Sequence, residues 1–274
     1  MTRKAFIRKS VEELSWQKGE PSWMTETRLA AWDTLGHKSL SRLLDMDLTT
    51  IDAYTEPPRH AVPSHEWPRD LQHALDERGD EEGLIIQRDS VILSRAITKD
   101  ATKRGVLYTD LDTAVKAAPE LLKRYFGKQV KAEDPWAAIH QAFWSGGTFL
   151  YVPAHVKIQL PFHTCYWLSR PSAAIFPHTL IVVEKGGRIS FTDEFLSIRW
   201  PQPALSVSVA ELVVRENAHV DYCLRPNWGA SVYHERRQQS HVAGSAQLRC
   251  SEVTGHREAM TLERVAELYP EVRP

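Results

Sequence analysis

The chain has 274 residues, 42% of them hydrophobic and 25% charged, with a formal net charge of -1 at pH 7. That composition suits a soluble globular protein of one large or two small domains. The balanced charge excludes a global field drawing it to nucleic acid or a membrane surface, and no apolar run is long enough to span a bilayer.

The N-terminus lacks the apolar core of a signal peptide, which predicts a cytoplasmic protein. Residues 1–47 read as helical. Pro21 suits a helix start within Gly19-Glu20-Pro21-Ser22-Trp23-Met24, and Met24, Ala31, Trp32 and Leu35 share one face. Residues 51–68 are rich in Pro and His and read as a loop, with His60 and His65 as its ligand-type side chains. A short helix is predicted over Leu71–Arg78, closed by Gly79. Leu84–Ile97 alternates well enough for a hairpin with Ile85, Val91 and Leu93 inward. Asp112 can cap a helix carrying Val115 and Ala118, and Pro119 can restart one with the stripe Leu121, Leu122, Tyr125 and Phe126, ended by Gly127. Trp136–Phe143 is the last helix of this part.

The chain changes character across Phe143-Trp144-Ser145-Gly146-Gly147-Thr148-Phe149-Leu150-Tyr151-Val152-Pro153. Gly146-Gly147 stops a helix and opens a strand over Thr148–Val152. Further strands are predicted over Val156–Leu160, Thr179–Val183, Arg188–Thr192, Leu205–Val214, His219–Leu224 and Gln247–Val253. Turn signals stand at Lys185-Gly186-Gly187, Glu216-Asn217-Ala218 and Pro226-Asn227-Trp228-Gly229. Short, regular strands without helices between them suit a sandwich, a jelly roll or a parallel β-helix. Thr261–Tyr269 reads as a short amphipathic helix. The organisation predicted is a helical region with a small hairpin over 1–146, a β core over 147–255 and a short C-terminal helix over 256–274.

Cys165, Cys223 and Cys250 are an odd set without Cys-x-x-Cys, so neither a disulfide framework nor a ready zinc site is indicated. His163 and Cys165 are two apart and share one side of a strand. With His178 as a third ligand they form the candidate metal set, which makes a cupin-like metal-binding enzyme one alternative, although no His-x-His occurs. Gly-x-Ser-x-Gly, P-loop and dinucleotide motifs are absent, and no catalytic residue is predicted. A purely structural partner subunit that pairs β-edges is the other alternative.

The segment Phe143–Pro153 resembles the entrance to the β core of the SufB/SufD family, the scaffold subunits of the SUF iron–sulfur cluster assembly system. The resemblance is supported in order by Gly19-Glu20-Pro21 through Arg28-Leu29, Pro119-Glu120-Leu121 through Tyr125-Phe126-Gly127, Thr179-Leu180-Ile181-Val182, Ala210-Glu211-Leu212, and Asn227-Trp228 with Val232-Tyr233. It implies a right-handed parallel β-helix, shorter than the family's, and a non-catalytic scaffold or accessory subunit. It implies a transient iron–sulfur cluster as cofactor, with Trp228, Cys165 and Cys223 as candidate cofactor-binding residues. It implies pairing through the β-helix with a SufB/SufD-type homologue or a second copy, and no nucleic-acid or membrane partner. The departures point to a D-like or degenerate member. Trp167 and Ser169 stand where the B-type subunit carries an Arg-x-Asn pair. Phe176-Pro177-His178 replaces its Phe-Glu-Arg, Glu194-Phe195 its Glu-Gly-Cys, and Pro226 its Gln before Asn-Trp. Weak cluster binding by the isolated chain and weak or no binding to the SufC-type ATPase are the resulting expectations.

Overall fold

The computed structural model describes residues 4–35, 47–54, 71–72, 79–197, 200–254 and 258–260. Its strands are β1 (Gly83–Arg88), β2 (Val91–Ile97), β3 (Leu107–Asp110), β4 (Gly147–Val152), β5 (Phe162–Leu168), β6 (Ala174–Ile175), β7 (His178–Val183), β8 (Arg188–Ser197), β9 (Ala204–Val214), β10 (His219–Asn227), β11 (Val232–Val242), β12 (Gln247–Thr254) and β13 (Glu258–Met260).

From β4 onward the chain deals its strands alternately into two sheets. β4, β7, β9 and β11 pair in parallel in one, and β5, β8, β10 and β12 pair in parallel in the other. The result is a parallel β-solenoid of about three turns with helices N-terminal to it. Strands covered on both faces read as near-continuous apolar runs; β9 is buried along all 11 of its residues. Corners use left-handed residues, Gly186 at φ 68° and Asn217 at φ 57°. The antiparallel barrel of the cupin alternative is not what these strands build.

The two ends differ. At the first, β1 adds in parallel to β5, β2 folds back on β1, and β3 lies antiparallel on β4. At the other, among the described residues, β11 is the outermost strand of its sheet and β13 pairs with Glu252–Thr254 of β12. One apolar cluster fills the space between the sheets, with Ile85, Phe162, Tyr166, Ile181, Phe191 and Leu212 among its members. A second joins the outer face of the first sheet to helices Arg8–Lys18, Ser22–Leu35, Leu111–Ala117, Pro119–Tyr125 and Pro135–Phe143.

Several expectations are corrected. The segment expected as a strand over Val156–Leu160 contributes only the isolated bridge Lys157↔Arg188; the strand is β5, just beyond Pro161. β11 was not expected, because Glu235-Arg236-Arg237-Gln238-Gln239 masks its alternation, which an edge position tolerates. The cap of helix Leu111–Ala117 is Asp110, whose Oδ1 accepts from Thr113 N at 2.8 Å; Asp112 instead binds Lys18 Nζ at 2.7 and 2.6 Å. Ile85 faces the interior as expected. A register shift at Ile86/Gln87 turns Ile92 inward and puts Leu93 on the outside with Leu84 and Ile86. His60, His65, most of Leu71–Arg78 and the whole of Thr261–Tyr269 lie outside the described residues. No described helix is long and apolar enough to cross a membrane.

Candidate functional site

The segments that stand out in the sequence meet one another in space. Arg28 is fully buried, and Nε and Nη2 fork onto Glu20 Oε2 and Oε1 at 2.7 and 2.6 Å. Its Nη1 donates to Ala142 O at 3.1 Å, and its guanidinium lies 4.3 Å from the Trp144 ring centre. The Gly19–Arg28 segment is therefore bolted to the Phe143-Trp144 junction. At that junction Gln87, fully buried on β1, accepts from Gly147 N at 2.8 Å and donates to Ser145 O at 3.0 Å and Asp89 O at 2.6 Å. One amide thus satisfies the backbone where helix turns into strand.

His178 and Glu211 form the second joint, on the outer face of the first sheet. His178 Nε2 lies 3.0 Å from Glu211 Oε2. A carboxylate only accepts, so Nε2 carries the proton. Glu211 also accepts from Gly127 N at 2.7 Å, Gln129 N at 2.7 Å and Val130 N at 2.9 Å. Phe126 stacks on the His178 ring at 4.3 Å. Nearby His140 is held well below the usual histidine range, first by burial and then by His178. This pair docks the loop after Pro119–Tyr125 onto the solenoid, which uses the residue predicted as a third metal ligand.

His163 and Cys165 do share a face, as their spacing predicts, but it is the outer face of the second sheet. His163 Nδ1 lies 2.9 Å from Glu81 Oε1 and Nε2 3.0 Å from Glu194 Oε2. Asn227 Nδ2 reaches Glu194 Oε1 at 3.3 Å. Cys165 is fully buried with Ile86, Trp167 and Leu71. The predicted set His163, Cys165 and His178 is thus not one site, because His178 belongs to the other sheet and faces the helices. Among the described residues no three His, Cys, Asp or Glu side chains are placed to hold a metal ion.

The candidate cofactor residues are separated too. Cys223 of β10 shares the outer face and the rung of His163, with Thr192 between them. Two strand spacings, about 9.6 Å, divide those positions. Trp228 lies on the interior side, its ring 5.4 Å from Phe195 and 5.3 Å from His234. All three cysteines are free thiols. Burial pushes the Cys223 and Cys250 thiols up, away from the nucleophilic thiolate.

Sequence reasoning missed a polar chain inside the solenoid. Asp193 occupies an inward position among Ile189, Phe191 and Phe195, a polar residue in the apolar phase of a strand; that break was the available signal. Thr179 Oγ1 donates to Asp193 Oδ2 at 2.8 Å, and Tyr222 OH donates to the same oxygen. Arg236 Nη2 donates to Tyr222 OH at 2.8 Å, and Tyr166 OH lies 3.0 Å from Thr179 Oγ1. Burial raises the Asp193 carboxyl, against the lowering by these donors and Arg236.

Comparison with known proteins agrees with this architecture. Residues 84–163 match the family model described as the SufBD protein N-terminal region, and residues 166–268 match that of the SUF system FeS cluster assembly, SufBD core domain. An iron–sulfur cluster assembly SufBD family protein of Staphylococcus epidermidis is 29% identical over 236 residues, 81% of this chain and 51% of that protein. Counterparts in Staphylococcus haemolyticus and Staphylococcus aureus are 29% and 28% identical over the same shares. The chain spans about half the length of the curated relatives it matches. Two adjoining family models, meeting at β5 and covering the hairpin and the solenoid in order, place the chain in the SufBD family of iron–sulfur cluster assembly proteins.

Proposed function

We propose that this protein serves iron–sulfur cluster assembly as a non-catalytic scaffold or accessory subunit of a SUF-type complex, acting by pairing the open end of its solenoid with a SufB/SufD-type homologue. A cluster would be its cargo, held only with a partner. The observation that carries this reading is the state of the thiols: Cys165 and Cys250 are buried and Cys223 is partly so, two of them pushed up by burial. Sulfur transfer needs a thiolate, and cluster ligation draws chiefly on thiolates. The side chains that stand out in the sequence serve as joints between helices and solenoid. Three reduced cysteines fit a cytoplasmic setting.

Anaerobic reconstitution with iron and sulfide, read by visible absorption, tests the reading. The isolated chain is expected to gain no stable stoichiometric cluster. A stoichiometric cluster that is lost in Cys165→Ser or Cys223→Ser would overturn it.

A further inference from the structure

Four polar atoms inside the solenoid are sealed from solvent and have no hydrogen-bond partner among the described residues: Asp193 Oδ1, Ser206 Oγ, Ser208 Oγ and Trp228 Nε1. Asp193, Ser206 and Ser208 are 1%, 0% and 2% exposed. Buried polar groups without partners are rare in folded proteins, and each calls for a cause. These four also converge. Leu205 and Val207 of β9 pack toward the helices, so Ser206 and Ser208 point into the solenoid, in phase with Leu212 and Val214.

Two groups of side chains form around the serines. Arg236 stands beside Ser208 on the β9–β11 ladder, its Nη2 donates to Tyr222 OH at 2.8 Å, and that hydroxyl donates to Asp193 Oδ2. Thr179 Oγ1 donates to the same oxygen at 2.8 Å, and Thr179 pairs with Ala210, the next inward residue of β9 after Ser208. Both donors thus reach Oδ2. His234 stands beside Ser206, its ring 5.3 Å from Trp228 and 5.2 Å from Phe195, which lies two residues beyond Asp193. The two inward positions on β9 are about 6.6 Å apart, roughly twice the length of a hydrogen bond.

The donor set selects the occupant. A carboxylate oxygen accepts, an indole N–H donates, and a hydroxyl does both. Whatever satisfies all four atoms must therefore donate and accept. An anion would meet the Asp193 carboxylate, and a cation would meet the Arg236 charge. The close ring contacts around Ser206 leave space only for a very small molecule. We propose that this turn of the solenoid holds a file of about two internal water molecules, one joining Asp193 Oδ1 to Ser208 Oγ and the next joining Ser206 Oγ to Trp228 Nε1.

Nuclear magnetic resonance of the whole chain labelled with nitrogen-15 tests this. The Trp228 indole N–H signal is identified by its loss in Trp228→Phe. It is expected to show a cross-peak to water with the sign that long-lived water gives, and Ser206→Ala should weaken that cross-peak at least twofold. Thermal unfolding gives a second reading. Deleting a hydroxyl that has no partner stabilises a protein, whereas deleting one that holds a water strips that water of a partner. Ser206→Ala and Ser208→Ala are each expected to lower Tm by about 2 °C. An indole signal with no cross-peak to water would overturn the proposal, as would a rise in Tm in either variant. Neither result bears on whether a SUF homologue pairs with the chain.

Discussion

Glu211 Oε2 and His178 Nε2 lie 3.0 Å apart, with the carboxylate side chain fully buried and the imidazole 3% exposed. The pair is shut from solvent beneath the loop that Glu211 also holds through three backbone N–H groups. A histidine with ligand chemistry is here a fastening. The same holds for Arg28, whose five-donor fork is used on Glu20 and Ala142.

Glu211→Ala is therefore expected to cost about 3–5 kcal/mol, the range for removing one partner of a buried, hydrogen-bonded charge. It strands three backbone donors at once. Urea unfolding checks the figure. A loss under about 1 kcal/mol would mean that the 127–130 loop is not held by this carboxylate.

The cysteines give a second outcome. In the native protein at pH 7, alkylation of all three is expected to be far slower than in urea. Cys223, the one that is partly exposed, should be the first to react as pH rises, because the raised thiol forms thiolate only above the usual range. Mass spectrometry after timed iodoacetamide treatment reads this directly. A cysteine modified in native protein as fast as in urea would contradict the assignment.

Much of the fold was legible because its signals are local. Gly146-Gly147 announces the helix-to-strand junction, Pro119 opens a helix at its first position, and β9 is a long apolar run. The site was legible only where spacing decides it, as in the shared face of His163 and Cys165. What decides the rest is separation along the chain. His178 meets Glu211 33 residues on, Glu81 meets His163 82 residues on, and Gln87 meets Ser145 58 residues on. No periodicity within a strand says which sheet the next strand will join. β11 escaped notice for a related reason: an edge strand carries polar side chains that erase the alternation a buried strand shows.

Gly147→Ala probes the junction itself. Gly147 has φ 127°, and a Cβ there would lie 2.0 Å from His178 O and 2.6 Å from His178 N. Both atoms are backbone of the neighbouring strand and have nowhere to go. The expected loss is about 3–5 kcal/mol, combining a disallowed φ with overpacking. Gly244→Ala, with nothing within 4 Å of the added carbon, is the control and should stay within about 0.5 kcal/mol. Equal thermal stability of the two variants would refute the steric account.

Acid sensitivity is the last expectation, and its sign follows from His234. Burial lowers its pKa from 6.5 to about 3, with the Arg236 charge acting in the same direction. Both ring nitrogens are sealed from solvent, and the ring packs against Phe195 and Trp228. The unfolded chain takes up a proton on this residue below pH 6.5, and the folded chain does so only near pH 3. Stability from His234 is therefore full above 6.5 and falls as pH drops from there toward 3. Between pH 7 and pH 5 the loss is about 2 kcal/mol. His140, also lowered, acts with the same sign. Asp193 and Asp89, raised by burial, act with the opposite sign in a window just above the ordinary carboxyl pKa. Urea midpoints at the two pH values measure the total. His234→Phe keeps the ring packing and removes the titration, so its midpoint should fall less on going to pH 5 than that of the wild type. An identical fall in both proteins would show that His234 does not govern the acid limb.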